Sequence, residues 1–325
     1  MSLLFADDTT LILSHSDFDF LVYWVNAELK KISLFFRTHK LALHPLKTQF
    51  MIFSNTPAIK NAKPFIFIDC NNEGENFENL KLPISQVSSS DQCPYIKFLG
   101  VLIDPNLTFQ PHTRFIASKL SKSLYILRKV QNFLTEKALK AIYFSLFHCN
   151  LIYCLPIWST ASQSTLKQVI SLQKKAIRII TKSKFNAHTE PLFKIFNILP
   201  FDKLVLFFNL QIMQKYTQGL LPNSFSNIWL TNQERRDAAN INNEELRYIL
   251  RNGEDFYIPF ARLTSSLKQP YYNLPKTWSS FDNPEIKLII NKNEFNLKLK
   301  RYLLSQLSAT INCGRLLCPA CHLRT

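Results

Sequence analysis

Leu3-Leu4-Phe5-Ala6-Asp7-Asp8-Thr9-Thr10-Leu11-Ile12-Leu13 sets two adjacent carboxylates between two apolar runs at the start of the chain. The Leu, Ile, Phe and Thr residues suit a buried strand pair, and Asp is at home in a connecting turn. The stretch therefore predicts a tight β-hairpin with acid at its tip. Two carboxylates held side by side repel each other, which raises the cost of keeping both ionised unless a cation lies beside them. A divalent metal with hard-oxygen preference, Mg2+ above all, would hold them charged. A solvated turn is the plain alternative, since Asp favours turns in any case.

Phe5-Ala6-Asp7-Asp8 inside an apolar hairpin resembles the active-site turn of reverse transcriptases, particularly those of non-LTR (LINE/jockey-like) retrotransposons, whose pattern is an aromatic, Ala, Asp, Asp. Two later stretches resemble the same family in the same order. Leu41-Ala42-Leu43-His44-Pro45-Leu46-Lys47-Thr48-Gln49-Phe50-Met51-Ile52-Phe53 is similar to the next palm element, with Lys47-Thr48 in register and His44 where the family carries Asn. Lys97-Phe98-Leu99-Gly100-Val101-Leu102-Ile103-Asp104, followed by Leu107 and His112, resembles the Leu-Gly strand turn that grips the primer. The resemblance implies a two-metal site in which Asp7 and Asp8 hold Mg2+ for attack by a primer 3′ hydroxyl. It also implies RNA template and DNA primer as partners, with Lys47 and Gly100 at the nucleic acid.

The family site needs a further Asp on an adjacent upstream strand, and fingers that hold the incoming nucleotide. Only four residues precede Phe5, and Asp69 and Asp104 do not occupy a family position. The expectation is a C-terminal fragment of an RNA-directed DNA polymerase, comprising the end of the palm, a thumb and a tail. It would be inactive alone and completed by an upstream polypeptide.

Charge is unevenly placed. Residues 1–110 carry nine Lys/Arg against eleven Asp/Glu, residues 111–230 sixteen against three, and residues 231–325 fourteen against nine. A mildly acidic segment with the Asp pair beside a strongly basic one is what a polymerase needs, carboxylates for metal and cations for phosphate. A general nucleic-acid-binding module without catalysis accounts for the same charge.

The start of the chain shows no basic-then-apolar leader, so a nuclear or cytoplasmic setting is expected and secretion is not. Residues 141–166 hold no Asp, Glu, Lys or Arg, but His148, Asn150 and Pro156 interrupt them. A buried helix ending near Pro156 is expected rather than a membrane span.

The fold class expected is α+β: a partial polymerase palm, an antiparallel hairpin plus helix, over 1–110; an all-α thumb-like region over 111–230; a small C-terminal module over 231–312; and a Cys-rich tail over 313–325. In the palm, Leu21, Trp24, Val25, Leu29, Ile32 and Phe36 recur at helical spacing behind Asp17 or Asp19, a strand returns over 40–53, and 55–93 reads as an irregular hairpin insertion. In the thumb-like region Ile116, Leu120, Leu124, Leu127 and Leu134 make one stripe, with Lys119, Lys122 and Lys129 off it. A helix from Ser164 to about Lys182 sets Lys167, Lys174, Arg178 and Lys182 within one arc, opposite Leu166, Val169, Ile170, Ala176, Ile177 and Ile180. Lys119, Lys122, Lys167, Lys174, Lys175, Arg178 and Lys182 are the candidate phosphate contacts of this region.

At the C-terminus Cys313, Cys318, Cys321 and His322 form a cluster for which Zn2+ is the first reading, thiolates and imidazole being able to close a tetrahedral site. Seven cysteines in a chain without an export signal argue against a disulfide framework.

Overall fold

The computed structural model describes residues 2–5, 8–41, 43–69, 81–89, 91–239, 253–262 and 264–307. Helices and small sheets divide into two compact units, Met1–Leu107 and Thr108–Thr325, an α+β composition.

In the first unit β1 (Ser2–Phe5) and β2 (Asp8–Leu11) form the expected antiparallel hairpin, with Phe5 opposite Asp8 and Ser2 opposite Leu11. It is not the buried pair its apolar residues suggest. Leu4 is 76% and Phe5 64% exposed, because the two strands pair only with each other. The next element, α1 (Phe18–Thr38), starts at Asp17, whose carboxylate accepts the Phe20 amide at 3.0 Å. Its apolar stripe is half-buried: Val25 and Leu29, with Leu43 and Phe50, pack on Ile66, Ile68 and Ile84. Asn26 fastens this helix to the later strand that starts at Phe67, donating to the Phe65 carbonyl at 3.1 Å and accepting the Phe67 amide at 3.2 Å.

The strand expected over 40–53 shrinks to β3 (Gln49–Phe50). Ahead of it the His44 carbonyl accepts the amides of Lys47 and Thr48 and the Thr48 hydroxyl, so those donors are spent in a local turn and cannot join a ladder. After α2 (Pro57–Lys60), the stretch expected to be an irregular insertion yields β4 (Phe67–Asp69) antiparallel to β5 (Lys81–Pro83), while β6 (Ser85–Gln86) pairs in parallel with β3. The unit ends in an antiparallel hairpin of β7 (Ile96–Phe98) and β8 (Val101–Ile103).

The second unit opens with α3 (Gln110–Val130), α4 (Glu136–Ile142), a π-helical turn (Tyr143–His148), α5 (Cys149–Ile152), α6 (Leu155–Trp158) and α7 (Gln163–Ile180). The helix expected to end near Pro156 ends at Ile152, and a short helix restarts after Cys154, whose backbone is left-handed. No helix among the described residues is long and apolar enough to cross a membrane. Ile116, Leu120, Leu124 and Leu127 of α3 meet Leu166, Val169, Ala176, Ile177 and Ile180 of α7 in a buried core with Trp158.

The chain continues through α8 (Thr189–Ile195), α9 (Phe201–Thr217), α10 (Asn232–Ala239), α11 (Thr264–Leu267), α12 (Pro270–Ser279), α13 (Pro284–Lys287) and α14 (Lys292–Ser305). The separate module expected from residue 231 does not stand apart. Its helices α12 and α14 pack on α9, Phe295, Leu299 and Leu303 are fully buried, and the Gln214 amide donates to the Ile289 carbonyl at 3.0 Å. Apolar faces on α8 and α9 that need covering account for the fusion of the two regions into one unit.

Candidate nucleic-acid interface

Of the predicted carboxylate pair only Asp8 is among the described residues, exposed at the first position of β2. Asp7 lies outside them, as do Cys313, Cys318, Cys321 and His322. Mg2+ at a phosphoryl-transfer site takes one or two carboxylates and fills its shell with water and substrate phosphate. Asp8 is one hard-oxygen donor of that kind, and no group of three or more His, Cys, Asp or Glu able to hold a metal occurs among the described residues.

In the same unit Gly100 sits at a hairpin tip where both turn residues, Leu99 (φ 44°) and Gly100 (φ 86°), are left-handed, as a two-residue turn that matches strand twist demands. Lys47 is exposed on the turn closed by His44.

The cations of the second unit separate into two sets. On α7, Ser162 caps the first turn by accepting the Thr165 amide, and the buried stripe leaves Lys167, Lys174 and Lys175 exposed. The helix contains no Asp or Glu. Arg178 is held differently: it is half-buried, its Nε donates to the Ala187 carbonyl at 2.9 Å, and burial lowers the pKa of its guanidinium. It fastens the loop after α7. Lys182 follows the helix, exposed in left-handed backbone (φ 49°).

On α3, Lys119, Lys122 and Lys129 are exposed, as are Arg114 and Arg128, and this helix also lacks acid. No carboxylate pairs with Lys119, Lys122, Lys167, Lys174 or Lys175 among the described residues.

A recess of about 250 Å3 lies where the first turns of α3 and α7 meet, lined by Gln110, Thr113, Arg114, Ser164, Thr165 and Gln168. The first turns of the two helices therefore lie side by side. At 100° per residue Lys167 stands about 160° around α7 from Thr165, and Lys122 lies about 180° around α3 from Thr113. Neither Lys167 nor Lys122 lines the recess. Sequence reasoning passed over Arg114, Arg128, and the exposed rings Tyr125 and Phe133, although the acid-free run from Gln110 to Phe133 marks them.

A Drosophila melanogaster protein described as "Probable RNA-directed DNA polymerase from transposon BS" is 29% identical to this chain over 114 residues, which is 33% of the chain and 12% of that protein. No protein-family model matches the chain. No solved structure matches it either. The similarity supports a relation to a transposon RNA-directed DNA polymerase over about a third of the chain, and the chain spans only a small part of that protein's length.

Proposed function

We propose that this chain is the palm end and thumb of a non-LTR retrotransposon RNA-directed DNA polymerase, and that its basic helical unit holds a template–primer duplex by the phosphate backbone. The observation that carries the reading is α7, whose apolar stripe is buried while Lys167 and Lys174, seven residues and about 10 Å apart, project to solvent with no acid on the helix. Duplex phosphates release counterions when such cations dock, so affinity falls steeply as salt rises. The transposon polymerase to which the chain is similar supports the choice of nucleic acid over other anions.

The test is a salt titration of binding to an RNA–DNA hybrid. Lys167→Glu with Lys174→Glu should weaken binding alike on all sequences and flatten the plot of log K against log salt by about two. Unchanged affinity would leave the stripe merely solvated and sink the reading.

Polymerisation belongs to the proposal only with a further polypeptide that brings an Asp-bearing strand to Asp7 and Asp8. The isolated chain with Mg2+ and a primed homopolymer should make no DNA, and robust synthesis would overturn the need for that partner. A non-catalytic binding module is the second reading, favoured by the sixteen Lys/Arg against three Asp/Glu over residues 111–230, a charge that binds phosphate without any carboxylate pair.

A further inference from the structure

We infer that the outward face of α3 is a platform for single-stranded nucleic acid, on which Tyr125 and Phe133 stack bases while Lys119, Lys122 and Lys129 hold phosphates. Phe115, Lys119, Lys122, Ile126, Lys129 and Phe133 follow one another at steps of four and three residues, so they form a single row about 27 Å long. Phe133 lies in the turn that follows the helix, its amide donating to the Val130 carbonyl at 3.1 Å. Tyr125 lies beside it, 62% exposed, and Phe133 is 86% exposed. The Lys129 ammonium sits 5.6 Å from the Tyr125 ring centre and that of Lys119 4.5 Å from Phe115.

From Lys122 through Tyr125 and Lys129 to Phe133, cations and rings alternate, and that alternation selects the partner. A membrane-surface helix segregates a continuous apolar face from its cations, and the continuous apolar face of α3 is already spent on α7 and the π-helical turn. A single strand offers π faces and phosphates in alternation, which matches rings interleaved with lysines. A duplex offers phosphates alone, its bases being stacked on one another. Five Lys/Arg and no Asp/Glu on α3 supply the charge complementarity. The residues of this face lie on α3 and just beyond it, Lys167 and Lys174 on α7, so the inference and the duplex reading are probed by different substitutions and can fail separately.

The experiment measures anisotropy of a labelled single-stranded RNA of about twelve nucleotides, the same RNA annealed to its complement, and vesicles of phosphatidylcholine with phosphatidylserine, each with the full chain. Tyr125→Ala and Phe133→Ala should each weaken single-strand binding by about fivefold or more, with the duplex unaffected and Tyr125→Phe retaining affinity. Lys119→Glu with Lys122→Glu should weaken single-strand binding and lower its salt dependence. Both rings are largely exposed, so an unchanged thermal melt verifies that the alanine variants fold. Single-strand affinity that survives both alanine substitutions overturns the inference. So does loss of vesicle binding with RNA binding intact, which would make the face a lipid contact.

Discussion

Gln173 is 1% exposed in the middle of α7, a helix whose other inward residues are aliphatic. Its amide donates to the Tyr143 hydroxyl at 3.3 Å and to the Leu199 carbonyl at 3.0 Å, joining α7 to the π-helical turn and to the segment before α9. Burial pushes the Tyr143 phenol well above its ordinary pKa, so the ring is a neutral partner at any physiological pH. Gln173→Leu would keep the volume and strand both acceptors, and should destabilise the fold by about 1–3 kcal/mol in denaturant unfolding. Arg178 carries the opposite lesson. It sits in the basic arc on a helical wheel, yet its bond to the Ala187 carbonyl makes charge reversal there a change to the loop as well as to the surface. Lys167 and Lys174 are the cleaner probes.

Among the elements, the β7–β8 hairpin has the most demanding backbone. Leu99 already adopts a left-handed conformation that costs an L-residue about 1–2 kcal/mol, and Gly100 at φ 86° provides the half of the turn that is free of this cost. Gly100→Ala should lower stability by about 1 kcal/mol, measured as a shift in the unfolding midpoint of the first unit. The π-helical turn shows a different local device. The Leu146 carbonyl accepts from the Ser123 hydroxyl at 2.9 Å and from the Asn150 side chain at 2.8 Å, so side chains take up an acceptor in the widened turn. The long helices were legible at this scale. The inward faces of α3 and α7 lie where their apolar periodicity placed them, and the caps Asp17 and Ser162 are side chains that accept amide protons. The β3–β6 ladder was not legible, because two residues that pair with a distant partner leave little periodicity to read.

For the whole molecule, acid sensitivity follows from two imidazoles of the second unit, one buried and one half-buried. His112, 5.9 Å from the Trp158 ring, and His148, 5.0 Å from Phe144, are held by burial at a pKa of about 4, with Lys119 and Lys300 adding smaller contributions in the same direction. Above pH 6.5 both are neutral whether the chain is folded or not. Below it the unfolded chain takes up protons that the folded chain refuses until about pH 4, so stability falls across that window. Thermal midpoints should drop steadily from pH 6.5 to 4, and a variant with His112→Gln and His148→Gln should lose most of that slope. A flat profile in the parent would show both rings to be accessible. The charge distribution acts at the same scale, because sixteen Lys/Arg against three Asp/Glu over 111–230 make phosphate the natural counterpart of this region.

Local order alone determined that the chain begins with an Asp-bearing hairpin, that its middle is amphipathic helix, and that its cations concentrate there, since hairpins, helical faces and charge density arise from residues near in sequence. Tertiary packing decided the rest. It left the hairpin exposed, drew α12 and α14 onto α9, and tied Arg178 to a loop. These outcomes depend on which surface covers which, and burial of apolar area is won between segments far apart in the chain, where a linear pattern holds no record of the partner.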